Sequence, residues 1–184
     1  GWTKLMVERI LQDYAAAYGL KSVSLRYFNA AGADPDGEIG EAHNPETHLI
    51  PNVLKAVAIN KRLKIFGTDY PTPDGTCVRD YIHINDLCTA HLLALEYLAS
   101  HPGAHGFNLG NGQGFSILDI LRAAEEVVGQ EILYDIEGRR QGDPPVLVAE
   151  SSLARNVLNW QPEFTDIRDI IETAWKWEVK LATM

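Results

Sequence analysis

Apolar residues recur three and four apart between Lys4 and Tyr18, at Val7, Ile10, Leu11, Tyr14 and Tyr18. That spacing gathers them on one stripe of a helix, which Gly19 is suited to end. The period then shortens to two: in "SVSLRYFN" Val23, Leu25 and Tyr27 alternate with Ser24, Arg26 and Phe28, which predicts a strand over 22–29. A helix leading straight into a strand reads as one unit of a parallel sheet. The next nineteen residues, "AAGADPDGEIGEAHNPETH", have no apolar period and are rich in Gly, Pro, Asp and Glu. They predict a long surface connection of the kind that often carries function.

Beyond it, "LIPNVLKAVAINKR" predicts a helix beginning near Pro51, "LKIFG" a short strand, and "CVRDYIHI" another strand after a turn at Asp74 and Gly75. "NDLCTAHLLALEYLAS" is helical, with Leu87, Ala90, Leu93, Ala94 and Tyr97 on one side. "HGFNLG" reads as a buried strand leaving through a glycine turn. In "SILDILRAAEEVVG" Ser116 can cap a helix and Asp119 can complete a capping box. "EILYDIE" predicts a strand, "SSLARNVL" a short helix, and "DIRDIIETAWKWEVKL" a closing amphipathic helix with Trp175 and Trp177. Helices alternate with strands almost throughout, which predicts an α/β fold with a mostly parallel sheet.

Composition narrows the function. The 184 residues are 46% hydrophobic, enough for one large domain. There is no run of about eighteen apolar residues to cross a membrane, and no leader pattern at the start, so a cytoplasmic protein is expected. A net charge of -9 with scattered Lys and Arg argues against nucleic-acid binding, yet leaves room for a small anion held by two or three arginines. Cys77 and Cys88 lie eleven apart without metal or redox spacing, and reduced, buried thiols are expected.

Few motifs carry chemistry by themselves. "GNGQG" at 110–114 follows a strand and precedes a helix, but the position where a dinucleotide fingerprint needs its third glycine is Phe115, so a plain turn is expected. His101 and His105 are four apart, but "HPGAH" contains two helix breakers, and no metal site is expected. Serine-hydrolase, zinc-protease and P-loop motifs do not occur. Arg79 is a charge within an apolar strand and must have a partner, either another carboxylate of the chain or a ligand. In "GRRQGDPP" two arginines and an aspartate share a turn broken by Gly142 and Pro144; guanidinium forks suit phosphate and a carboxylate suits a ribose diol. Asn29 ends a strand, where ligands sit in open parallel sheets.

"TKLMVERIL", "LRYFNAAGA", "ETHLIPNVL", "KIFGTDYPTPDGTCVRDYIHINDL", "FNLGNGQGFSILD" and "RRQGDPP" follow one another in this chain. In that order they resemble the UDP-glucose 4-epimerase family of the extended short-chain dehydrogenase/reductase superfamily, over essentially the whole chain. The resemblance implies that residues 1–30 are a remnant of an NAD-binding Rossmann-like domain, namely a catalytic-lysine helix and its following strand. It implies that 31–184 form a smaller mixed α/β UDP-sugar-binding region, with 106–110 a strand returning to the NAD-binding sheet.

The family's chemistry uses a tyrosinate that takes the proton of the hexose C4 hydroxyl while C4 passes hydride to NAD. The 4-keto sugar turns over and takes the hydride back on its other face, which interconverts UDP-glucose and UDP-galactose in galactose metabolism. Such a base must ionise about three units below a free tyrosine, which a neighbouring ammonium favours. Lys4 matches that ammonium, and Tyr27 and Phe28 match the strand end near the nicotinamide. The tyrosine itself, four positions before Lys4, and the glycine fingerprint are not among these 184 residues, so the chain alone is expected to be inactive and to bind UDP weakly at most. Its first helix is expected to be poorly supported.

Substrate positions carry over one by one. Asn29 matches a contact to the sugar phosphate, His48 and Leu49 fall on the family's Asn-Leu pair, with His48 a departure, and Lys64, Ile65 and Phe66 match the uracil segment with its backbone bonding. Arg79 and Arg140 match the diphosphate clamps, Tyr81 and Ile117 line the same pocket, and Asp143 matches the ribose acceptor. Leu147 matches a position linked to acceptance of N-acetylated sugars, and its bulk favours UDP-glucose and UDP-galactose. A homodimer that uses the Val7 to Tyr18 helix is implied for the parent enzyme. The alternatives are a related UDP-pentose or UDP-N-acetylhexosamine 4-epimerase and a non-catalytic UDP-sugar-binding module.

Overall fold

The computed structural model describes residues 1–183. Helix α1 (Trp2–Tyr18) ends as its sequence predicts, with Gly19 left-handed at φ 68° and its N–H on Ala15 O at 3.0 Å. The chain then enters β1 (Ser22–Tyr27), but the strand expected to run to 29 divides at Phe28. Before the break β1 pairs in parallel with β6 (Ala104–Leu109), from Ser22 opposite Ala104 to Tyr27 opposite Leu109; after it, β2 (Asn29–Ala31) pairs in parallel with β5 (Tyr81–His83).

The strand expected over 77–84 divides as well, at Asp80, into β4 (Val78–Arg79) and β5. The cause is the Asp80 side chain, which is wholly buried and accepts the amide N–H groups of Asn111 (2.9 Å), Gly112 (3.1 Å) and Ala149 (3.0 Å). "GNGQG" is thus a turn, as expected, and the anion its amides cradle is the chain's own carboxylate. On the other side of the break β4 lies between β7 (Phe115–Ser116), antiparallel, and β9 (Val146–Leu147), parallel. The single, mostly parallel sheet expected from the alternation is therefore replaced by three parallel pairs and one mixed three-stranded sheet.

Two cores follow from this division. Beside β1 and β6, helix α3 (Ile84–Ser100) buries Leu87 and Ala90 against Phe107, Leu109, Leu158 and Trp160. Trp160 is completely buried in that core, and its indole N–H donates to Asp86 O at 2.9 Å. The larger core joins α2 (Leu49–Ala58), β3 (Leu63–Phe66), α4 (Ile117–Val128) and α6 (Ile167–Leu181), with Ile50, Val53, Leu54, Ile120, Leu121, Ile170 and Ile171 inside. Adjacent residues of β5 serve both: Tyr81 faces the larger core and Ile82 the smaller, as the two-residue period of a strand requires.

Local chemistry set several boundaries. The capping box of α4 forms as read, Ser116 Oγ accepting from Asp119 N at 3.0 Å. Helix α2 starts at Leu49, two residues before Pro51, whose missing N–H falls in a first turn where none is needed, and it stops at Ala58 because Asn60 turns left-handed at φ 50°. The strand expected from 131 starts at Tyr134, as β8 (Tyr134–Glu137), because Ile132 N–H bonds Glu125 Oε1 at 2.9 Å instead of a ladder partner. Cys77 is buried, whereas Cys88 is exposed on the outer face of α3, contrary to expectation; both are free thiols.

Helix α1 buries none of its residues. Trp2 is 80% exposed and Tyr18 77%, and Val7, Ile10 and Tyr14 are also exposed. Its polar tie to the rest is Arg26, whose Nε lies 2.7 Å from Glu8 Oε1 and whose Nη2 meets Glu8 Oε2. No helix among the described residues is long and apolar enough to cross a membrane.

Candidate functional site

Five distant segments enclose a cleft of about 230 Å³: the start of β2, the chain entering α2, the β4 to β5 break, the start of α4 at Ile117, and the turn around Arg140. It brings together Asn29, His48, Leu49, Arg79, Tyr81, Ile117, Arg140 and Asp143 of the residues singled out in the sequence, joined by Thr47 and Cys77, which had carried no signal.

The charges in it are arranged around Asp143. Arg79 Nη2 lies 3.4 Å from Asp143 Oδ1 and Arg140 Nε 3.5 Å from Oδ2. Arg79 is therefore paired with a carboxylate of its own chain, one of the two partners its position in an apolar strand demanded. Both contacts are longer than the 2.7–2.9 Å of a strong charge-assisted bond. A guanidinium has five N–H donors, and Arg79 also donates to Val78 O at 2.8 Å, so neither arginine is saturated. Arg79 is nearly buried, its side chain 15% exposed, while Arg140 is open to solvent with its guanidinium 4.5 Å over the Phe66 ring.

A third positive element is the N-terminus of α2, whose residues Leu49, Ile50 and Pro51 line the same cleft. First-turn amides have no partner within the helix and concentrate its positive dipole end. Asn29 supplies the complementary polarity: its Nδ2 donates to Asp80 O at 2.7 Å, which fixes the amide plane and turns Oδ1 away as an acceptor. Burial pushes the Tyr81 phenol well above its ordinary value, so it stays protonated.

A neighbouring cleft of about 420 Å³ shares Thr47, Leu49 and Arg140 with the first and adds Lys64 and Phe66. Strand β3 bonds β8 through alternate residues, with Leu63 N–H on Leu133 O and Gly67 N–H on Glu137 O. The peptide groups of Lys64 and Phe66 therefore face the open edge of the pair. Ile65 is different: its side chain is in the core and its peptide falls on the bonded edge, so it lines neither cleft. The Lys64 ammonium pairs with Glu137 at 2.9 Å. Leu147 is half-exposed on β9 and also lies outside both clefts.

Lys4 and Tyr27 share a third, wide cleft of about 720 Å³ between α1 and β1. Phe28 is not part of it and marks the bend between β1 and β2. An ammonium and a phenol at a strand end fit the ribose end of a dinucleotide. Among the described residues the one glycine-rich strand-to-helix turn, 110–114, is closed by Asp80, so its amides are not offered to a diphosphate.

Residues 1–110 match the NAD dependent epimerase/dehydratase family. The chain is 53% identical over 178 residues to the UDP-glucose 4-epimerase of Lacticaseibacillus casei, a match that takes in 96% of this chain and 54% of that protein. Among solved structures, the UDP-glucose 4-epimerase from Brucella ovis in complex with NAD superposes with a TM-score of 0.89 at 49% identity, over 94% of this chain and 54% of that one. The enzyme from Bifidobacterium longum in complex with NAD+ and UDP does so with a TM-score of 0.89 at 38% identity, over 96% and 53%. The chain spans about half the length of the relatives it matches. On this fold, and with these matches, the chain belongs to the NAD dependent epimerase/dehydratase family, and the relatives it is similar to are UDP-glucose 4-epimerases.

Proposed function

We propose that these 184 residues are the C-terminal, UDP-sugar-binding portion of a UDP-glucose 4-epimerase that interconverts UDP-glucose and UDP-galactose. The observation that carries the reading is the convergence of Arg79, Arg140 and the α2 N-terminus on one cleft, with Asn29 and Asp143 as acceptors beside them. Two guanidinium groups and a helix end suit the two negative charges of a diphosphate. When the diphosphate enters, its oxygens take the donors that Asp143 now holds at long range, and the released carboxylate accepts from a ribose hydroxyl. Asn29 Oδ1 accepts from the sugar side, and the open-edge peptides of Lys64 and Phe66 bond the uracil in the adjoining cleft.

Bound NAD would supply reversible hydride removal at the hexose C4. Lys4 and Tyr27 are the residues of this chain that would hold its ribose end, and Lys4 would keep a nearby phenolate ionised. The tyrosine that the resemblance assigns as the base is not among the 184 residues, so on this reading they do not epimerise by themselves. The exposed Val7, Ile10, Tyr14 and Tyr18 face of α1 supports a homodimeric parent enzyme, which the same reading places in the cytoplasm.

Competition among ligands tests the assignment. UDP should bind in preference to both ADP and inorganic phosphate, because uracil recognition and the diphosphate clamp act together. Equal affinity for UDP and ADP would remove the uracil cleft from the account, and no affinity for either would remove the site.

A further inference from the structure

The connection ahead of α2 folds four side chains with metal-binding donors onto one point. Glu41, His43, Glu46 and His48 each place one donor atom within 4.8 Å of the others. Both imidazoles turn Nδ1 to the same carboxylate oxygen: His43 Nδ1 lies 2.7 Å from Glu41 Oε1, and His48 Nδ1 bonds that atom too. Glu46 Oε1 stands 4.0 Å from His43 Nδ1 and 3.9 Å from His48 Nδ1. It also accepts the amides of Thr47 (2.8 Å) and His48 (3.0 Å), which fixes it as the most buried of the four. The pattern is Glu-x-His-x-x-Glu-x-His within eight residues. His101 and His105, the pair weighed in the sequence, are instead packed on Tyr97 at 3.9 and 5.0 Å.

The scaffold holds these donors from two sides. Trp177 on α6 donates its indole N–H to Glu41 O at 2.8 Å, and its ring covers Gly40 so closely that a Cβ there would sit 2.2 Å from Trp177 Cγ. Lys55 Nζ takes the other oxygen of Glu46 at 3.0 Å and so turns Oε1 toward the histidines. The Glu46 side chain is 6% exposed.

We propose that Glu41, His43 and His48, with Glu46 as the fourth donor, bind a divalent transition cation, zinc by the chemistry of the set. Two imidazoles and two carboxylates suit borderline-soft zinc, whereas calcium and magnesium prefer six or more oxygens. Zinc bonds of about 2.0–2.1 Å in a tetrahedron place donors about 3.3 Å apart. The four donors already lie within 4.8 Å of one another, the closest pairs below that separation and the Glu46 contacts at 3.9 and 4.0 Å above it, so side-chain rotations that part the first and draw in the second form the site. The cation takes the place of the hydrogen that each Nδ1 now shares with Glu41. Its consequence is a pinned lip on the cleft that holds Arg79 and Arg140, since Thr47, His48 and Leu49 line it. The proposal does not rest on the nucleotide-sugar reading.

Metal titration of the unaltered chain tests it, with Zn²⁺ in chelator-buffered solution and with Co²⁺ followed by its visible absorption. One cation per chain is expected, with Co²⁺ displaced by Zn²⁺. Affinity should fall about tenfold or more in Glu41→Gln and in His43→Ala, at least the loss that removal of an outer-shell partner causes elsewhere. Absence of stoichiometric binding, or binding that neither substitution weakens, would overturn the site. Should a variant fail to fold, the imidazole ¹⁵N resonances of the unaltered chain decide: zinc should shift His43 and His48 among the six histidines, and a shift confined to others, or none, rejects the site.

Discussion

Asp80 organises the site without lining it. Its carboxylate collects amides from 31, 32 and 69 residues away, and its carbonyl holds Asn29. Burial pushes its pKa upward against the pull of those amides. Asp80→Asn puts an amide nitrogen where a bare acceptor is needed and should cost about 3 kcal/mol in urea unfolding. His83 is a second buried polar group, stacked on Phe164 at 3.8 Å, with Nδ1 accepting from Asn85 N at 3.1 Å and Nε2 against Thr173 Oγ1 at 3.0 Å. Burial lowers its pKa from the ordinary 6.5. The unfolded chain then binds the proton more readily, so this contribution is complete above 6.5 and is lost as pH falls toward the folded value. Urea midpoints at about pH 7.5 and 5.5 should drop more in the unaltered chain than in His83→Gln. Arg79 was legible from sequence, because a charge in an apolar run demands a partner. Asp80 was not: its partners come from two remote turns, and only the third dimension brings them to it.

The elements divide into supported and unsupported ones. α4 and α6 bury whole faces, while α1 buries nothing, so backbone amides of α1 should exchange with deuterium well before those of α4 and α6. Equal protection of the three helices would show that α1 is held by contacts beyond the Glu8 to Arg26 pair. Gly110 is a packing constraint on the β6 exit, where an added Cβ would lie 2.5 Å from both Asp80 Oδ2 and Ala149 Cβ. Gly110→Ala should therefore destabilise by about 2 kcal/mol, measured by thermal unfolding. Periodicity revealed the helices and the α4 cap, because those signals are local. It missed the breaks at Phe28 and Asp80, because alternation continues through them while the pairing partner changes.

At the scale of the molecule, alternation of helix and strand was enough for the α/β class but not for the sheet plan, since strand partners 82, 52 and 71 residues apart leave no mark on either strand. The site was legible mainly through the resemblance, which named residues on widely separated segments; the fold gathers most of the substrate positions in one cleft, puts Lys64 and Phe66 in the adjoining one, and leaves Ile65 and Leu147 outside both. The central claim is that this cleft is a diphosphate clamp built from Arg79, Arg140 and the start of α2. Calorimetric titration of the chain with UDP, alongside Arg79→Met, tests it most directly. The account expects saturable one-site binding, weaker than about 10 μM, with affinity reduced about tenfold or more in Arg79→Met. UDP binding that Arg79→Met leaves unchanged, or no binding to the unaltered chain at all, would contradict it.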